Sequence, residues 1–338
     1  MDIRIADSQD IQLWNSVVEG SPHGTIFHRW EWCKLAETQS KTTFLPLMIF
    51  RGSNLMALYP VFIQRKGVVN LAFSPPPHSY LLYQGPILVG YEGMKQDKKE
   101  SLFFKVQEEF DKFVFSVWNC RYIRIRTAPG LYDSRPLLWS HYKVEPYYTY
   151  AIDLTKGIDG VWEDFDRKLR VDIKKACREG VDVKEGGSND LPFIQSLLSQ
   201  RFIQQGYKPL DYLPYLNGLY SIFQQNQMKI FLGCKEGDIL SGLIALFDKD
   251  RAYLWTGIPK YNAKGIPVND LIQWEVIKWA AEHGYKWYEE MDSGDDRRLT
   301  QFKSKYNPTL QIWFSAERYS APVFQIFSSL FKFTRKLL

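Results

Sequence analysis

The sequence predicts an α/β fold with mixed sheets, organised as two copies of one α/β unit. A length of 338 residues corresponds to about two domains at roughly 150 residues each. In the second half of the chain, helices precede a β-meander, and a helix, a strand, a short helix and a last strand follow. The first half shows a blurred version of the same order, without a detectable sequence repeat. We therefore expect one domain at residues 1–147 and a second at residues 148–318.

In the first half, capping residues, apolar spacing and turn residues place the elements. Asp7 or Ser8 can cap a first helix whose apolar residues recur at helical spacing. Ser74–Pro77 cannot be helix or central strand, so we expect a rigid, exposed loop there. Residues 136–146 are expected to form the crossing to the second unit. The other predicted elements are helices at about 28–38 and 98–117 and strands at about 44–50, 55–63 and 122–126.

The second half has clearer boundaries. Gly180 is suited to end a helix that carries Leu169, Ile173 and Ala176 on one face. Short turns connect three consecutive strands, which predicts an antiparallel meander. A short helix is predicted to begin at Asp159, and Val181 and Val183 begin a strand after Gly180. The other predicted helices lie at about 190–205, 212–224, 269–283 and 300–305, and the other strands at about 148–154, 228–234, 239–247, 252–257, 286–291 and 310–315.

The composition is that of a folded protein with an excess of aromatic side chains. Hydrophobic residues make up 45% and charged residues 24% of the chain, which excludes global disorder. The aromatic share of 16% supplies buried area, and tyrosine and tryptophan also serve at ligand clefts and membrane interfaces. Lysine and arginine number 43 against 38 acidic residues, a net charge of +5. This balance favours phosphates or anionic surfaces as partners but is too small to indicate nucleic acid by itself.

Cysteine spacing and the terminal sequence bear on location. Cys33, Cys120, Cys177 and Cys234 form no C-x-x-C pair and no metal-ligand spacing with histidine, so we expect reduced thiols in a cytoplasmic protein. Met1–Arg4 lacks the basic and apolar regions of a signal peptide. No uncharged apolar run reaches the roughly 18–20 residues of a spanning helix. The expected location is the cytoplasm, with attachment to the inner face of the membrane as an option.

Several cofactor and nucleophile motifs are missing from the sequence. It contains no G-x-x-x-x-G-K-[ST], no G-x-G-x-x-G and no G-x-S-x-G. The histidines show no zinc spacing, and the acidic residues from Glu289 to Asp296 lack the EF-hand pattern, so we expect a solvated turn there. We therefore expect no cofactor and no metal. Acyl transfer between two bound substrates stays compatible, because it needs positioning and oxyanion stabilisation.

Three segments of the second half form a recognisable series. The first comprises Tyr150–Leu154, Trp162–Phe165 and Lys168–Val181, with the pattern D-L … L-R-x-x-I-[RK]-K-A-x-x-x-G-V. The second is the helix at 269–283 with the strand that leads into Asp292, and the third is Leu299–Tyr306, an F-K-x-x-[FY] element. Together they resemble the Fem-type peptidyl and aminoacyl transferases, FemAB-like members of the GNAT acyltransferase superfamily. The motifs cover most of residues 148–315.

The resemblance implies two tandem GNAT-like domains and an acyltransferase activity. Fem enzymes add amino acids from aminoacyl-tRNA to the amino group of a peptidoglycan-precursor peptide. The favoured donor is therefore aminoacyl-tRNA, and the favoured acceptor is an amine-bearing precursor of the cell envelope. One alternative is an N-acyltransferase of the same fold that uses acyl-CoA or an acyl carrier. Another is an inert module that binds a nucleotide-sugar or tRNA.

The chain departs from the family pattern in two respects. It has no long heptad-bearing insertion of the kind that forms a helical arm in some Fem members. It also has no [QR]-x-x-G-x-[GA] pyrophosphate loop, and Lys264–Asn269 occupies that place, with Pro267 suited to precede a helix. The second departure argues against ordinary CoA binding in this domain.

Two residues are candidates for the chemistry. Lys303 matches the lysine of the family's F-K element and could stabilise the negative charge that develops on the carbonyl oxygen during amine attack. An exposed surface lysine is the alternative. Asp292, at a strand end, could orient the amine or accept its proton. A turn-capping aspartate is the alternative for this residue.

Candidate substrate-binding residues fall into a basic and a mainly aromatic set. A basic helix face could meet phosphates of tRNA or of a nucleotide-linked acceptor, with a solvated surface as the alternative. Aromatic side chains could line an acceptor cleft, although core packing is the alternative for each. The basic set is Arg170, Lys174, Lys175 and Arg178, and the second set is Tyr207, Tyr212, Tyr215, Trp255, Asn269 and Tyr306.

The C-terminal segment, residues 319–338, has a pattern of its own. Apolar residues between Arg318 and Lys332 lie in an uncharged stretch, and basic residues follow. The stretch is too short to span a bilayer, but a basic amphipathic helix can lie on one. Docking on the chain's own domain or on another subunit is the alternative, so peripheral membrane contact is one of two expectations here.

Overall fold

Two units divide the chain. The computed structural model describes residues 1–338 except 205, 207, 210, 224–226, 260–264, 293–296 and 322–338. The first unit comprises Met1–Tyr147 and the described part of Ile312–Leu338, and the second comprises Tyr148–Gln311. Each unit has its own set of paired strands, its own helices and its own apolar core, and both are mixed α/β structures, as the sequence predicts. No helix within the described ranges is long and apolar enough to cross a membrane.

The first unit begins with a strand, two helices and a long hairpin. Asp7 accepts a hydrogen bond from the backbone N–H of Gln9 and so caps the turn that leads into the first helix, as its sequence position predicts. The elements are β1 (Asp2–Ile5), α1 (Ile11–Gly20), α2 (Trp30–Ser40), β2 (Thr43–Arg51), β3 (Asn54–Lys66), β4 (Val69–Ser74), β5 (Ile87–Leu88), α3 (Gln96–Lys112), β6 (Cys120–Arg126), α4 (Arg135–Trp139) and β7 (Lys143–Asp153).

The second unit repeats this order. Gly180 adopts a positive φ of 76° two residues after the second of its helices ends, where glycine avoids the strain of a Cβ. The elements are α5 (Gly157–Asp164), α6 (Arg167–Arg178), β8 (Asp182–Gly186), α7 (Leu191–Gln204), α8 (Leu213–Phe223), β9 (Met228–Lys235), β10 (Asp238–Asp248), β11 (Arg251–Pro259), α9 (Val268–Glu282), β12 (Trp287–Asp292), α10 (Arg297–Ser304) and β13 (Thr309–Tyr319).

The sheets of the two units have matching topology. In the first, β1 to β4 are antiparallel neighbours, and β6 runs parallel to β4. In the second, β8 to β11 are antiparallel neighbours, and β12 runs parallel to β11. Residues 149–153 of β7 pair with β12, and residues 315–319 of β13 pair with β6. These paired residues of β7 therefore belong to the second unit, and those of β13 belong to the first.

The core of the second unit lies under α9. This helix packs on β9 to β11, and the apolar face of α6 packs on α9. Gly233 in β9 is required for this approach, since a Cβ there would lie 2.4 Å from Val268 Cγ1. Leu169, Ile173 and Ala176, the predicted apolar face of α6, are all buried in this core. The packing fixes α9 against the sheet and thereby positions the polar side chains on its flank.

Four expectations about the fold need correction or lie outside the described residues. Ser74, Pro75 and Pro76 are buried, so the proline-rich loop is not exposed. Residues 136–146 contain α4 and the beginning of β7 rather than a simple crossing. Residues 312–318 group with the first unit. Of the predicted C-terminal helix at 319–338, Tyr319 ends β13, and residues 322–338 are not described.

Candidate active site

A buried polar network lies between α9, β12 and α10 in the second unit. Its members come from three elements and the turn after α10, and all but Lys305 are buried. Asp270 and Gln273 are three residues apart and so lie on one face of α9, and Tyr288 and Glu290 are two residues apart and so lie on one face of β12. The network consists of Asp270 and Gln273 on α9, Tyr288 and Glu290 on β12, Lys303 on α10, and Lys305 and Tyr306 after it.

Lys303 is a buried lysine. Lys303 is only 6% exposed, and its Nζ donates a hydrogen bond to the backbone carbonyl oxygen of Glu290 at 2.5 Å. The alternative of an exposed surface lysine is therefore wrong. Because a buried ammonium ion is costly without compensating negative charge or hydrogen bonds, its surroundings must favour the charged form if it acts as a cation.

Glu290 is the most deeply buried carboxyl group of the network. The residue is 1% exposed, and Gln273 Nε2 donates to its Oε1 at 2.5 Å. Its Oε2 has no hydrogen-bond partner, and the hydroxyl of Tyr288 on the same face of β12 has none either. Burial raises the pKa of Glu290 to about 8, while the Lys303 ammonium, the Gln273 amide and Lys305 oppose that rise. A buried carboxyl group with an open oxygen atom is a typical feature of a functional site.

Asp270 forms the second carboxyl position of the network. Lys305 Nζ lies 2.6 Å from its Oδ1, and the Tyr306 hydroxyl donates to the same oxygen at 3.2 Å. Burial raises the pKa of Asp270, and the neighbouring Lys305 charge and hydrogen bonds act against it. Tyr306, a predicted substrate-binding residue, is itself fully buried. It therefore holds Asp270 in position rather than lining an open surface.

An open cleft of about 670 Å³ reaches the edge of this network. Lys305 lies in its wall, together with residues at the beginning of α6 and along α10. The backbone N–H of Asp166 donates to the carbonyl oxygen of Lys305 at 2.9 Å, which ties the beginning of α6 to the end of α10. The buried network is therefore connected to solvent on the side of Lys305.

A bulge precedes Asp292, the second predicted catalytic residue. The register of β12 against β7 shifts between Glu289 and Asp292, and Met291 has a positive φ of 58°. The Thr149 hydroxyl lies 2.7 Å from the Met291 carbonyl oxygen and 3.1 Å from Glu289 Oε1. Bulges and unusual backbone angles re-aim side chains and are frequent next to active sites. The side chain of Asp292 lies outside the described residues.

The acidic stretch from Glu289 to Asp296 is not the expected solvated turn in its described part. Glu289 is 0% exposed, and Arg251 Nη1 lies 2.9 Å from its Oε2. Glu290 is buried on the other face of the same strand. Residues 293–296 are outside the described ranges, and no group of three or more potential metal ligands occurs among the residues that are described.

The predicted basic residues lie on α6 and face outward. Lys174, Lys175 and Arg178 are exposed, and Arg170 is half-buried. Lys174 Nζ lies 5.8 Å from the ring centre of Trp162, and Lys175 Nζ donates to the Gly265 carbonyl oxygen at 3.4 Å. These four side chains form no ion pair with a described residue. They are a separate basic surface, and the network above does not include them.

The remaining predicted residues do not converge on one place. Tyr212 and Tyr215 are each 3% exposed and contribute to packing around α8, so core packing accounts for them. Trp255 is half-buried on β11. Asn269, at the beginning of α9, is half-buried and accepts a hydrogen bond from the Ser241 hydroxyl. Tyr207 lies outside the described residues.

Comparison with known proteins connects this geometry to a family. Residues 167–303, from the beginning of α6 to Lys303, match the acetyltransferase (GNAT) domain. The chain is 27% identical over 166 residues to the UDP-N-acetylmuramoylpentapeptide-lysine N(6)-alanyltransferase of Weissella viridescens. This match covers 46% of the chain and 48% of that relative, about half its length.

The chain is similar to GNAT acyltransferases of the Fem type.

Solved structures show the extent of the shared fold. The crystal structure of FemX superimposes with a TM-score of 0.71 at 14% identity, covering 93% of this chain and 97% of FemX. A tandem GNAT protein from the clavulanic acid biosynthesis pathway gives a TM-score of 0.57 at 8% identity, with 95% and 99% coverage. At these identities the comparison concerns the fold alone. Both nevertheless extend over nearly all of the Fem-like chain, including its first unit.

Five members of the network were not predicted as site residues, and Lys305 is one of them although it lies within the F-K-x-x-[FY] element. Asp270 and Gln273 look like ordinary helix residues in the sequence, and Tyr288 and Glu290 lie in a strand followed by many acidic residues. The alternation of side chains in the strand could have indicated Glu290, because Tyr288 and Glu290 lie on one face and Trp287 and Glu289 on the other. A charged residue on the core side of such a strand is a candidate functional carboxyl group.

Proposed function

We propose that the chain transfers an aminoacyl group from aminoacyl-tRNA to the amine of a peptidoglycan-precursor peptide. The observation that carries the proposal is the similarity to an alanyltransferase that acts on the lysine of UDP-N-acetylmuramoylpentapeptide. The FemX-like fold along nearly the whole chain supports it. The buried network includes Lys303, the lysine of the F-K element.

The chemistry requires stabilisation of charge on one oxygen atom. The acceptor amine nitrogen attacks the ester carbonyl carbon, the bond to the ribose oxygen breaks, and that oxygen takes up a proton while the nitrogen loses one. The carbonyl oxygen is negative in between, and one well-placed donor contributes about 2.7–4 kcal/mol to lowering the barrier. We assign this role to Lys303. Asp292, which follows the bulge in β12, is proposed to orient the amine or accept its proton.

The basic surface of α6 is proposed to contact the donor RNA. Lys174, Lys175 and Arg178 are exposed along one helix and have no acidic partner among the described residues. Such side chains can neutralise backbone phosphates without reading sequence. Arg170, Asn269 and Trp255 are proposed to extend this contact or the acceptor site. A donor of this kind places the reaction in the cytoplasm, and membrane contact through residues 319–338 is a separate proposal from the sequence.

The acyl-CoA alternative has less support in the second unit. The segment that would form a pyrophosphate loop contains Pro267 in place of the usual glycine pattern. Asp270 also introduces a carboxyl group into the first turn of α9, which disfavours an anion at that helix end even though Lys305 offsets its charge. We therefore retain acyl-CoA as the second candidate donor.

A transfer assay tests the proposal directly. The purified chain is incubated with a mixed pool of aminoacyl-tRNA and with UDP-N-acetylmuramoylpentapeptide, and the product is measured by mass spectrometry. A parallel reaction contains acyl-CoA instead of charged tRNA. We expect a mass increase of one amino-acid residue on the acceptor only with charged tRNA. Transfer from acyl-CoA alone would favour the second candidate, and no transfer from either donor would favour a binding module.

A further inference from the structure

One face of the sheet in the first unit carries two buried hydrogen-bond donors that lack an acceptor. The Nε1 atom of Trp313, a residue only 1% exposed, has no hydrogen-bond partner, and the Nε atom of Arg124 has none either. Buried polar atoms are almost always hydrogen-bonded, so each exception requires an explanation such as a bound ligand. We propose that this face binds a small phosphate-bearing ligand, with Arg124, Arg126 and Trp313 as donors to its oxygen atoms.

The alternation of side chains along β6 places both arginines on this face. Ile123 and Ile125 belong to the apolar core of the first unit. Because successive side chains point to opposite sides of a strand, Arg124 and Arg126 lie on the other side of the sheet, with their Cα atoms roughly 7 Å apart. The neighbouring strand β13 continues the face, since Glu317 pairs with Arg124 in the register. The face therefore carries two guanidinium groups and one carboxyl group.

Aromatic rings hold the two guanidinium groups in place. Arg124 Cζ lies 5.2 Å from the ring centre of Phe73, and Arg126 Cζ lies 5.8 Å from that of Trp313. The Trp313 ring is in turn stacked on Tyr147, with 4.7 Å between ring centres and 20° between ring planes. Both arginines are half-buried. Their planar donor groups are therefore pre-organised for a ligand while part of each side chain stays accessible to solvent.

The donors on this face fit a phosphate group. Guanidinium groups bind phosphate and carboxylate through paired hydrogen bonds, and the two arginines outweigh the single charge of Glu317. A phosphate group offers three strong acceptor oxygens, which suits three donor side chains better than the two oxygens of a carboxylate. Because Trp313 is buried, a compact ligand reaches its N–H more readily than the backbone of a nucleic acid. This inference does not depend on the transfer reaction proposed above.

Calorimetric titration of the chain with inorganic pyrophosphate tests the site without any acyl donor. We expect Arg124→Gln to weaken pyrophosphate binding by about tenfold or more, because it removes a hydrogen bond between charged groups. Trp313→Phe keeps an aromatic ring and removes the N–H donor, so we expect a smaller loss of about three- to tenfold. Arg121→Gln is the matched control, since it removes the same charge from the opposite face of β6. Thermal unfolding checks that each variant is folded.

Four outcomes would overturn the inference. The wild-type chain could fail to bind pyrophosphate, or Arg121→Gln could weaken binding as much as Arg124→Gln, which would mean attraction by overall charge alone. Succinate, which carries two carboxylates and no phosphate, could bind as tightly as pyrophosphate and so contradict the ligand class. Uncharged tRNA could bind with the same dependence on Arg124, which would make RNA the ligand. If the wild-type chain transfers no aminoacyl group, the proposed function fails while the pyrophosphate titration still decides this site.

Discussion

Each unit buries a carboxyl group among tyrosine, glutamine and cationic side chains, and the two groups differ in how completely they are hydrogen-bonded. In the first unit, the Tyr142 hydroxyl donates to Asp111 Oδ1 at 2.5 Å, and Gln107 Nε2 donates to the same oxygen at 2.9 Å. Arg318 Nη1 donates to Asp111 Oδ2 at 2.5 Å. In the second unit, Glu290 Oε2 has no partner.

From this difference we propose that the first network is structural and that the second is functional. A fully hydrogen-bonded buried network contributes to a unique fold, whereas an open polar atom in the interior costs free energy. The first unit therefore uses Asp111 to tie α3, the segment before β7 and β13 together. The second unit keeps an unfilled carboxyl oxygen beside a buried lysine, a cost that is consistent with use in a reaction. The predictions below test whether this division of roles holds.

The largest expected effect is on catalysis in the second unit. Lys303→Ala removes the proposed oxyanion donor, so we expect kcat for transfer to decrease by about 100-fold or more. Steady-state kinetics with aminoacyl-tRNA and UDP-N-acetylmuramoylpentapeptide measure this change. Lys156→Ala is the control, since Lys156 is an exposed lysine of the same unit that pairs with Asp164. Equal activity of the two variants would remove Lys303 from the site.

The sequence predicts the order of elements well because helix and strand periodicity is local. The spacing of Leu169, Ile173 and Ala176 sets the buried face of α6, and the short turns between β9, β10 and β11 set the meander. The strands β1, β4 and β5 are missed because two to six residues of edge or mixed pattern carry little periodicity.

The candidate site was predicted only where a residue lies in a motif. Lys303 and Tyr306 follow from the F-K-x-x-Y element. The burial of Glu290, in contrast, depends on its packing against Gln273 of α9, a contact that the sequence pattern does not show. In the sequence, Glu290 stands in an acidic run and resembles a solvent-exposed residue. Tyr212 and Tyr215 show the reverse case, since aromatic residues that could line a cleft are buried around α8. Pattern alone does not distinguish these environments.

The second expected effect is on the stability of the first unit. Asp111→Ala leaves the Arg318 guanidinium, the Tyr142 hydroxyl and the Gln107 amide without their shared acceptor. Removing one partner of a buried pair destabilises a protein by about 3–5 kcal/mol, and we expect a value near the lower end because Arg318 is partly exposed. Urea unfolding measures the loss. Transfer activity at a temperature where the variant is folded should be retained, and a specific loss of kcat would contradict the structural role.

The third expected effect is a pH dependence of stability. Burial raises the pKa of Asp111 to about 6, above its ordinary value in an unfolded chain, so the folded state binds this proton more tightly. The resulting stability is present below about pH 4 and is lost as the pH rises to about 6, by roughly 1.4 kcal/mol for each unit of pKa difference. Asp111→Asn cannot titrate and should lack this decrease. Urea unfolding of both proteins between pH 4 and 7 measures it, and identical slopes would contradict the assignment.

The smallest expected effect compares one hydroxyl group in each network. Tyr142→Phe removes a hydroxyl that donates to Asp111 and accepts from Gln107, so we expect a loss of about 1–2 kcal/mol in the free energy of unfolding. Tyr288→Phe removes an equally buried hydroxyl that has no partner. This change should be neutral or stabilising, because it removes a desolvated polar atom without breaking a hydrogen bond. Urea unfolding of the two variants under one set of conditions gives the comparison. A loss in Tyr288→Phe as large as that in Tyr142→Phe would mean that the second network is filled like the first, and its open oxygen would then no longer distinguish the two units.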